Sequence, residues 1–217
     1  MKTDAELKKD VVDELAWDPA VNASAVGVAV RDGVVTLTGH LDTYAEKAAV
    51  ERVLKRVGGV KAIALELDVR LAPGHVRSDT DIARAAEQAL GWNSLVPATK
   101  VRVIVDKGWV TLQGQLEWDY QRQSAEKAVR ALVGVVGLSN EIAITPRAAP
   151  ADVTRRIREA LTRQAQREVK HLDVQVNGAT VTLQGQVHSW HERNAAQGAA
   201  WSAPGVVQVI NELSIVD

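Results

Sequence analysis

His188 and His191 lie three residues apart beside an expected helix start, a spacing that brings two imidazoles within reach of one metal ion. No further ligand is spaced to complete a tetrahedral set, so a metal site is not expected. The chain has no cysteine, which removes thiolate nucleophiles and disulfides. It also lacks a glycine-rich phosphate loop, a nucleophile elbow and any recurring acid–base pair. These residues define no catalytic group and call for no cofactor, and a protein that is not an enzyme is expected. Aromatic chemistry is better represented. Tyr44, Trp118, Tyr120 and Trp190 each follow a glycine-terminated apolar stretch. Trp and Tyr favour a lipid–water interface, so these four form a candidate rim for lipid or partner binding. Helix initiation and local packing are the competing use of the same residues. Arg155, Arg156, Arg158, Arg163, Arg167 and Lys170 make one expected helix basic. They spread over several faces around Val153, Ile157 and Leu161, which reads as a solvated helix back rather than a lipid-binding stripe.

The elements that must position these residues come from a repeat. Val35-Thr36-Leu37-Thr38-Gly39 returns as Val110-Thr111-Leu112-Gln113-Gly114 and as Val181-Thr182-Leu183-Gln184-Gly185. An offset of 75 carries Leu7 to Ile82, Leu15 to Leu90, Trp17 to Trp92 and Val28 to Val103 without a gap. An offset of 71 carries Ile82 to Val153, Leu90 to Leu161 and Val103 to Val174. The segment Arg70-Leu71-Ala72-Pro73-Gly74 joins the first two copies, and Pro146-Arg147-Ala148-Ala149-Pro150 joins the last two. Three domains are expected, at residues 1–71, 76–146 and 150–217. Units of roughly 70 residues have marginal cores, so they are expected to lean on one another or on a second chain.

One unit reads as αββαβ. Thr3 with Glu6 makes a capping box, followed by the stripe Leu7, Val11, Val12 and Leu15. Pro19 bars continuation. Val26, Val28 and Val30 alternate with Gly27, Ala29 and Arg31, the period of a half-buried strand. Asp32-Gly33 is a type I′ hairpin signal, which places Arg31 opposite Val34 and Val30 opposite Val35. Gly178-Ala179 suits type II′ in the third copy. Thr43 with Glu46, repeated by Ser189 with Glu192, starts a second helix, with Val50, Val53, Leu54 and Val57 inward and Gly58-Gly59 at its end. A last strand puts Ile63, Leu65, Leu67 and Val69 on one face. The helix between the second and third strands makes those strands parallel. The expected fold class is therefore α+β: three tandem αββαβ domains, each a three-stranded mixed sheet with two helices on one face.

The other sheet face stays open, and the copies differ there. The third offers Asp173, Gln175, Thr180, Thr182 and Gln184, an ordinary wet surface. The second offers Ile104 and Trp109, which reads as an interface for a sister unit or for self-association, with a ligand surface as the alternative.

The motif Val28-x-Val30-x-x-Gly33-x-Val35-x-Leu37-x-Gly39, followed by a helix ending in Gly59-Val60, resembles the BON domain family. In the later copies the ending extends to Gly134-Val135-x-x-Leu138-x-Asn140-x-Ile142 and Gly205-Val206-x-x-Val209-x-Asn211-x-Leu213. The first copy departs from it with Leu65 in place of the asparagine. The resemblance implies phospholipid binding, envelope integrity and osmotic stress, with no shared catalytic residues. It leaves open potassium sensing, as in a two-domain cytoplasmic relative, and scaffold or chaperone-like roles. The expected partners are anionic phospholipid or an envelope protein.

Charge limits the partners further. With 26 basic and 27 acidic residues the net charge is −1, which argues against nucleic acid as a partner. Residues 1–10 have no apolar core of a secretory signal. A cytoplasmic location is expected, or a periplasmic one if a leader has been removed.

Overall fold

The computed structural model describes residues 2–145 and 172–216, together with Arg155, Ile157 and Glu159. The first copy runs α1 (Asp4–Trp17), β1 (Val26–Arg31), β2 (Val34–Leu41), α2 (Tyr44–Leu54) and β3 (Ala62–Val69). The second runs α3 (Asp79–Trp92), β4 (Val101–Asp106), β5 (Trp109–Leu116), α4 (Asp119–Arg130) and β6 (Gly137–Ile144). The third shows β7 (Leu172–Asn177), β8 (Thr180–Val187), α5 (Trp190–Trp201) and β9 (Gln208–Ile215). The sheet orders are β1-β2-β3, β4-β5-β6 and β7-β8-β9. β1 is antiparallel to β2, and β3 is parallel to it. The third sheet repeats that pattern. The protein is α+β, built from three copies of one mixed-sheet unit, as the periodicity predicts.

Backbone bonds at the ends of each sheet follow the sequence offsets. Lys61, Val136 and Val207 donate their N–H groups to the carbonyls of Gly33, Gly108 and Ala179, at 2.9, 3.0 and 2.9 Å. Arg70, Thr145 and Val216 donate to Leu41, Leu116 and Val187, each at 2.8 Å. The hairpins hold the expected register, with Arg31 opposite Val34 and Val30 opposite Val35. Asp32 and Gly33 both have positive φ, 53° and 79°, as type I′ requires. In the third copy Gly178 carries the positive φ of 59°, in keeping with type II′.

The glycines that close the first two Val-Thr-Leu-x-Gly stretches, Gly39 and Gly114, have a close-approach role. Gly39 has φ of 130°, and a Cβ there would lie 2.1 Å from the Ala25 carbonyl oxygen. Gly114 meets the Lys100 carbonyl at the same 2.1 Å. No side chain fits where β2 or β5 passes the turn that leads into its partner strand.

Each core lies between the sheet and its helices. Leu7, Val11 and Leu15 of α1 meet Val35 and Leu37 of β2 and Val50, Val53 and Leu54 of α2, all fully buried. Ile82, Ala86 and Leu90 of α3 take the same places over Val110 and Leu112. Ile157 is buried with Val174, Val181 and Leu183 in the third copy. Two details differ from the sequence reading. Val12 is 42% exposed, because it stands about 100° around the helix from Val11 and leaves the stripe. Helix α2 ends at Leu54, and Arg56 and Val57 bond back only three residues in tightened turns. Val57 therefore lies beyond the helix. Arg156, Arg158, Arg163, Arg167 and Lys170 lie outside the described residues. Arg155 is exposed and paired with Glu159 at 2.6 Å.

Contacts group the chain into two compact units, residues 1–114 with 120–142, and residues 115–119 with 143–217.

Candidate functional site

The four rim aromatics all stand at or just before a second helix, and the caps explain the loop geometry. Glu46 N–H donates to Thr43 Oγ1 at 3.1 Å, while the Glu46 carboxylate accepts from Asn22 N–H at 2.6 Å and Asp42 N–H at 3.1 Å. That buried carboxylate ties the start of α2 to the loop entering β1. Glu192 repeats the cap, with its N–H on Ser189 Oγ at 3.2 Å and its carboxylate on His188 N–H at 2.9 Å. In the second copy Trp118 occupies the cap position, half-buried, and Asp119 beside it is buried.

The aromatics themselves fare differently. Tyr44 is half-buried inside the first unit, where Arg130 and Glu126 of α4 and the Leu138 backbone of β6 lie close enough to act on its phenol. Burial pushes its phenol up from the ordinary value. Tyr44 thus joins the first copy to the second. Tyr120 is exposed. Trp190 is half-buried beneath the Arg193 guanidinium, 5.1 Å from the ring centroid. His188 and His191 are both exposed, and among the described residues no three His, Asp or Glu side chains converge.

The asparagine of the extended motif has a structural task. Asn140 Oδ1 accepts from Ile142 N–H at 3.3 Å, and its amide donates to the Arg122 carbonyl and Glu126, both at 3.2 Å. Asn211 accepts from Leu213 N–H at 3.2 Å and donates to Gln197 at 3.2 Å. The first copy has Leu65 at this place, and there Glu51 pairs with Lys55 along its own helix.

On the open face of the second copy, Ile104 is 44% and Trp109 49% exposed. The third copy's face is bridged by Gln175 to Gln184 and by Gln184 to Glu212.

The most exposed aromatics are two that the sequence reading aligned but gave no role. Trp17 is 84% and Trp92 86% exposed, at the C-terminal ends of α1 and α3. The available signal was phase. Trp17 stands two residues, about 200° of helical rotation, beyond Leu15 and so faces away from the buried stripe.

Fold and repeat together define a small α+β module built on a three-stranded mixed sheet and used three times, with two helices described in each of the first two copies. The chain matches the BON domain at residues 3–70, 78–146 and 150–217, and it belongs to the BON domain family. It is 28% identical over 142 residues to the Osmotically-inducible protein Y of Escherichia coli (strain K12), covering 64% of this chain and 69% of that one. It is 29% identical over 135 residues to the 21 kDa hemolysin of Actinobacillus pleuropneumoniae, covering 61% of this chain and 69% of that one. The solved structure of CdsD, a structural protein of the type III secretion system of Chlamydia trachomatis, covers 96% of this chain and 91% of its own at 14% identity. Its TM-score of 0.27 is too low to align the two as whole molecules.

Proposed function

We propose that this chain is a non-catalytic binding protein that meets anionic phospholipid at the cell envelope during osmotic stress. The observation that carries the reading is the pair Trp17 and Trp92, at equivalent helix ends and each more than four-fifths exposed. An indole left in water contributes little to folding, whereas its amphipathic ring suits the headgroup level of a membrane. Family membership and the likeness to an osmotically inducible relative support the stress and envelope part. Binding of this kind is weak and reversible. The net charge is −1, and among the described residues no helix is long and apolar enough to cross a membrane.

Co-sedimentation with vesicles of phosphatidylglycerol and phosphatidylcholine tests it. Binding should fall for Trp17→Ala and Trp92→Ala. Further loss with Trp118→Ala, Tyr120→Ala or Trp190→Ala would bring the loop rim into the same contact. Absence of binding at low salt, with a folded protein captured instead, would replace the lipid reading by a scaffold. A thermal shift specific to potassium over sodium would replace it by an ion sensor.

A further inference from the structure

The geometry points to a second binding surface, of different chemistry: the open sheet face of the second copy is a platform for a β-linked pyranose oligosaccharide. Trp109 does not stand out from the sheet. A Cβ built on Gly137 would lie 2.3 Å from its Cε3 and 2.4 Å from its Cζ3, so the six-membered ring rests flat on the glycine of the neighbouring strand. Its Nε1–H donates to Ser139 Oγ at 2.9 Å, which fixes the ring's rotation. One face of the indole is thereby held against β6, and the side chain remains 49% exposed. A flat ring with its polar atom already satisfied is pre-ordered for stacking, and little rotamer freedom remains to be lost on binding.

The sister copies serve as an internal control. Where the second copy has Trp109, Gly137 and Ser139, the first has Val34, Ala62 and Ala64, and the third has Thr180, Gln208 and Ile210. The αββαβ unit folds with any of the three sets, so packing of the unit does not require the tryptophan, its glycine seat or its serine tether. On the same face Gln113 donates to Glu141 at 2.8 Å. Four residues of strand, about 13 Å, separate Gln113 from Trp109, the reach of a short oligosaccharide rather than one sugar.

These features select the occupant. A pyranose with equatorial substituents presents a flat face of axial C–H bonds, which stacks on an indole, and a rim of hydroxyls that both donate and accept. An amide beside a carboxylate meets such hydroxyls from both sides. Other occupants fit less well. A stable protein interface needs roughly 800 Å² per partner, and Ile104 and Trp109, each about half exposed, are set among Arg102, Asp106 and Glu141. A ring lying flat cannot insert among lipid chains. A nucleobase would also stack, but Asp106 and Glu141 on this face repel its phosphates.

Calorimetric titration of the intact protein with cellohexaose and with N-acetylglucosamine hexasaccharide tests the inference, with α-linked maltohexaose as comparison. At least one β-linked hexasaccharide should bind, in preference to maltohexaose. Trp109→Val installs the residue of the first copy, so the unit should stay folded, and it should weaken binding at least tenfold. Gln113→Ala should weaken it severalfold without touching the ring. The preferred hexasaccharide identifies a glucan-type or an amino-sugar polymer as the natural source. No binding of either β-linked sugar at millimolar concentration would overturn the proposal, as would unchanged affinity in folded Trp109→Val. So would a dimer by light scattering that Trp109→Val dissolves, since the face would then belong to a second copy of the chain.

Discussion

Tyr44 shows most directly how one side chain acts beyond its own copy. Its ring is half-buried, and its phenol lies close to Glu126 and Arg130 and to the Leu138 backbone of the next copy's edge strand. Burial is the largest cause raising its pKa, with Glu126 and Glu51 adding to it and Arg130 and the nearby Leu138 backbone opposing. The folded value therefore lies above the ordinary phenol value of 10.0. As pH rises past about 10 the unfolded chain loses this proton first, so it binds fewer protons than the native state and stability falls. Below that pH the contribution is fully present. Thermal unfolding followed from pH 9 upward should show this loss, and Tyr44→Phe should remove Tyr44's share of the slope. The sequence marked Tyr44 as aromatic and near a helix start, but a contact between copies leaves no periodic trace to read. The repeated glycines were legible by recurrence, and their cause needed coordinates. With positive φ and a carbonyl 2.1 Å from any added Cβ, Gly39→Ala should cost roughly 2–4 kcal/mol by denaturant titration. Gly198 sits in α5 with nothing within 4 Å of the added atom, so Gly198→Ala should stabilise by about 0.5–1 kcal/mol.

At the scale of elements, the local rules agreed with one another, and that agreement made the fold readable. The capping box of Thr3 and Glu6, the type I′ turns and the period-two strands each specify the same αββαβ unit, and each is present. The reading failed where a rule was applied one turn too far. Val12 was counted into a stripe it leaves, and α2 was extended to Val57 because Gly58-Gly59 offered a later stop than the turns actually use. One link between elements was missed altogether. Asp4, in the first turn of α1, accepts the N–H groups of Asp32 and Gly33 at 2.8 and 3.1 Å. Asp79 does the same for Lys107 and Gly108, at 2.8 Å each. The two positive-φ residues of a type I′ turn aim both N–H groups the same way, and a helix-start carboxylate answers them together. The aligned residue of the third copy is Pro150, and there the turn is Gly178-Ala179 instead. Asp79→Ala should therefore destabilise the first unit by about 1–2 kcal/mol, while Asp79→Asn, which keeps one acceptor, should lose less. Equal losses in chemical denaturation would show that helix-end charge, not the turn contact, is what matters.

For the whole molecule the question is what repetition adds to a weak module. Trp17 and Trp92 lie in the same compact unit and come from equivalent helix ends. The third copy has Arg163 at the aligned position, so the indole pair belongs to the first two copies. If both rings enter one bilayer, the second binds at an effective concentration set by the first, and affinity exceeds what either supplies alone. Burying half of a tryptophan surface is worth roughly 2–3 kcal/mol, or about 30- to 150-fold in affinity for each ring. Trp17→Ala and Trp92→Ala should each lower vesicle binding by a factor of that order, and the double variant should leave none that sedimentation can measure. Tyr44 bears on the same result, because it holds the copies that carry the two rings. Tyr44→Ala should weaken vesicle binding while both indoles remain present, as the rings lose their fixed relation. If one ring acts alone, only its own substitution will matter, and Tyr44→Ala will bind as the unmodified protein does. The four variants, assayed together on phosphatidylglycerol vesicles at low and high salt, distinguish a two-point contact from a single anchor. A two-point apolar contact should also keep most of its binding at high salt, because its energy comes from buried indole rather than from screened charge.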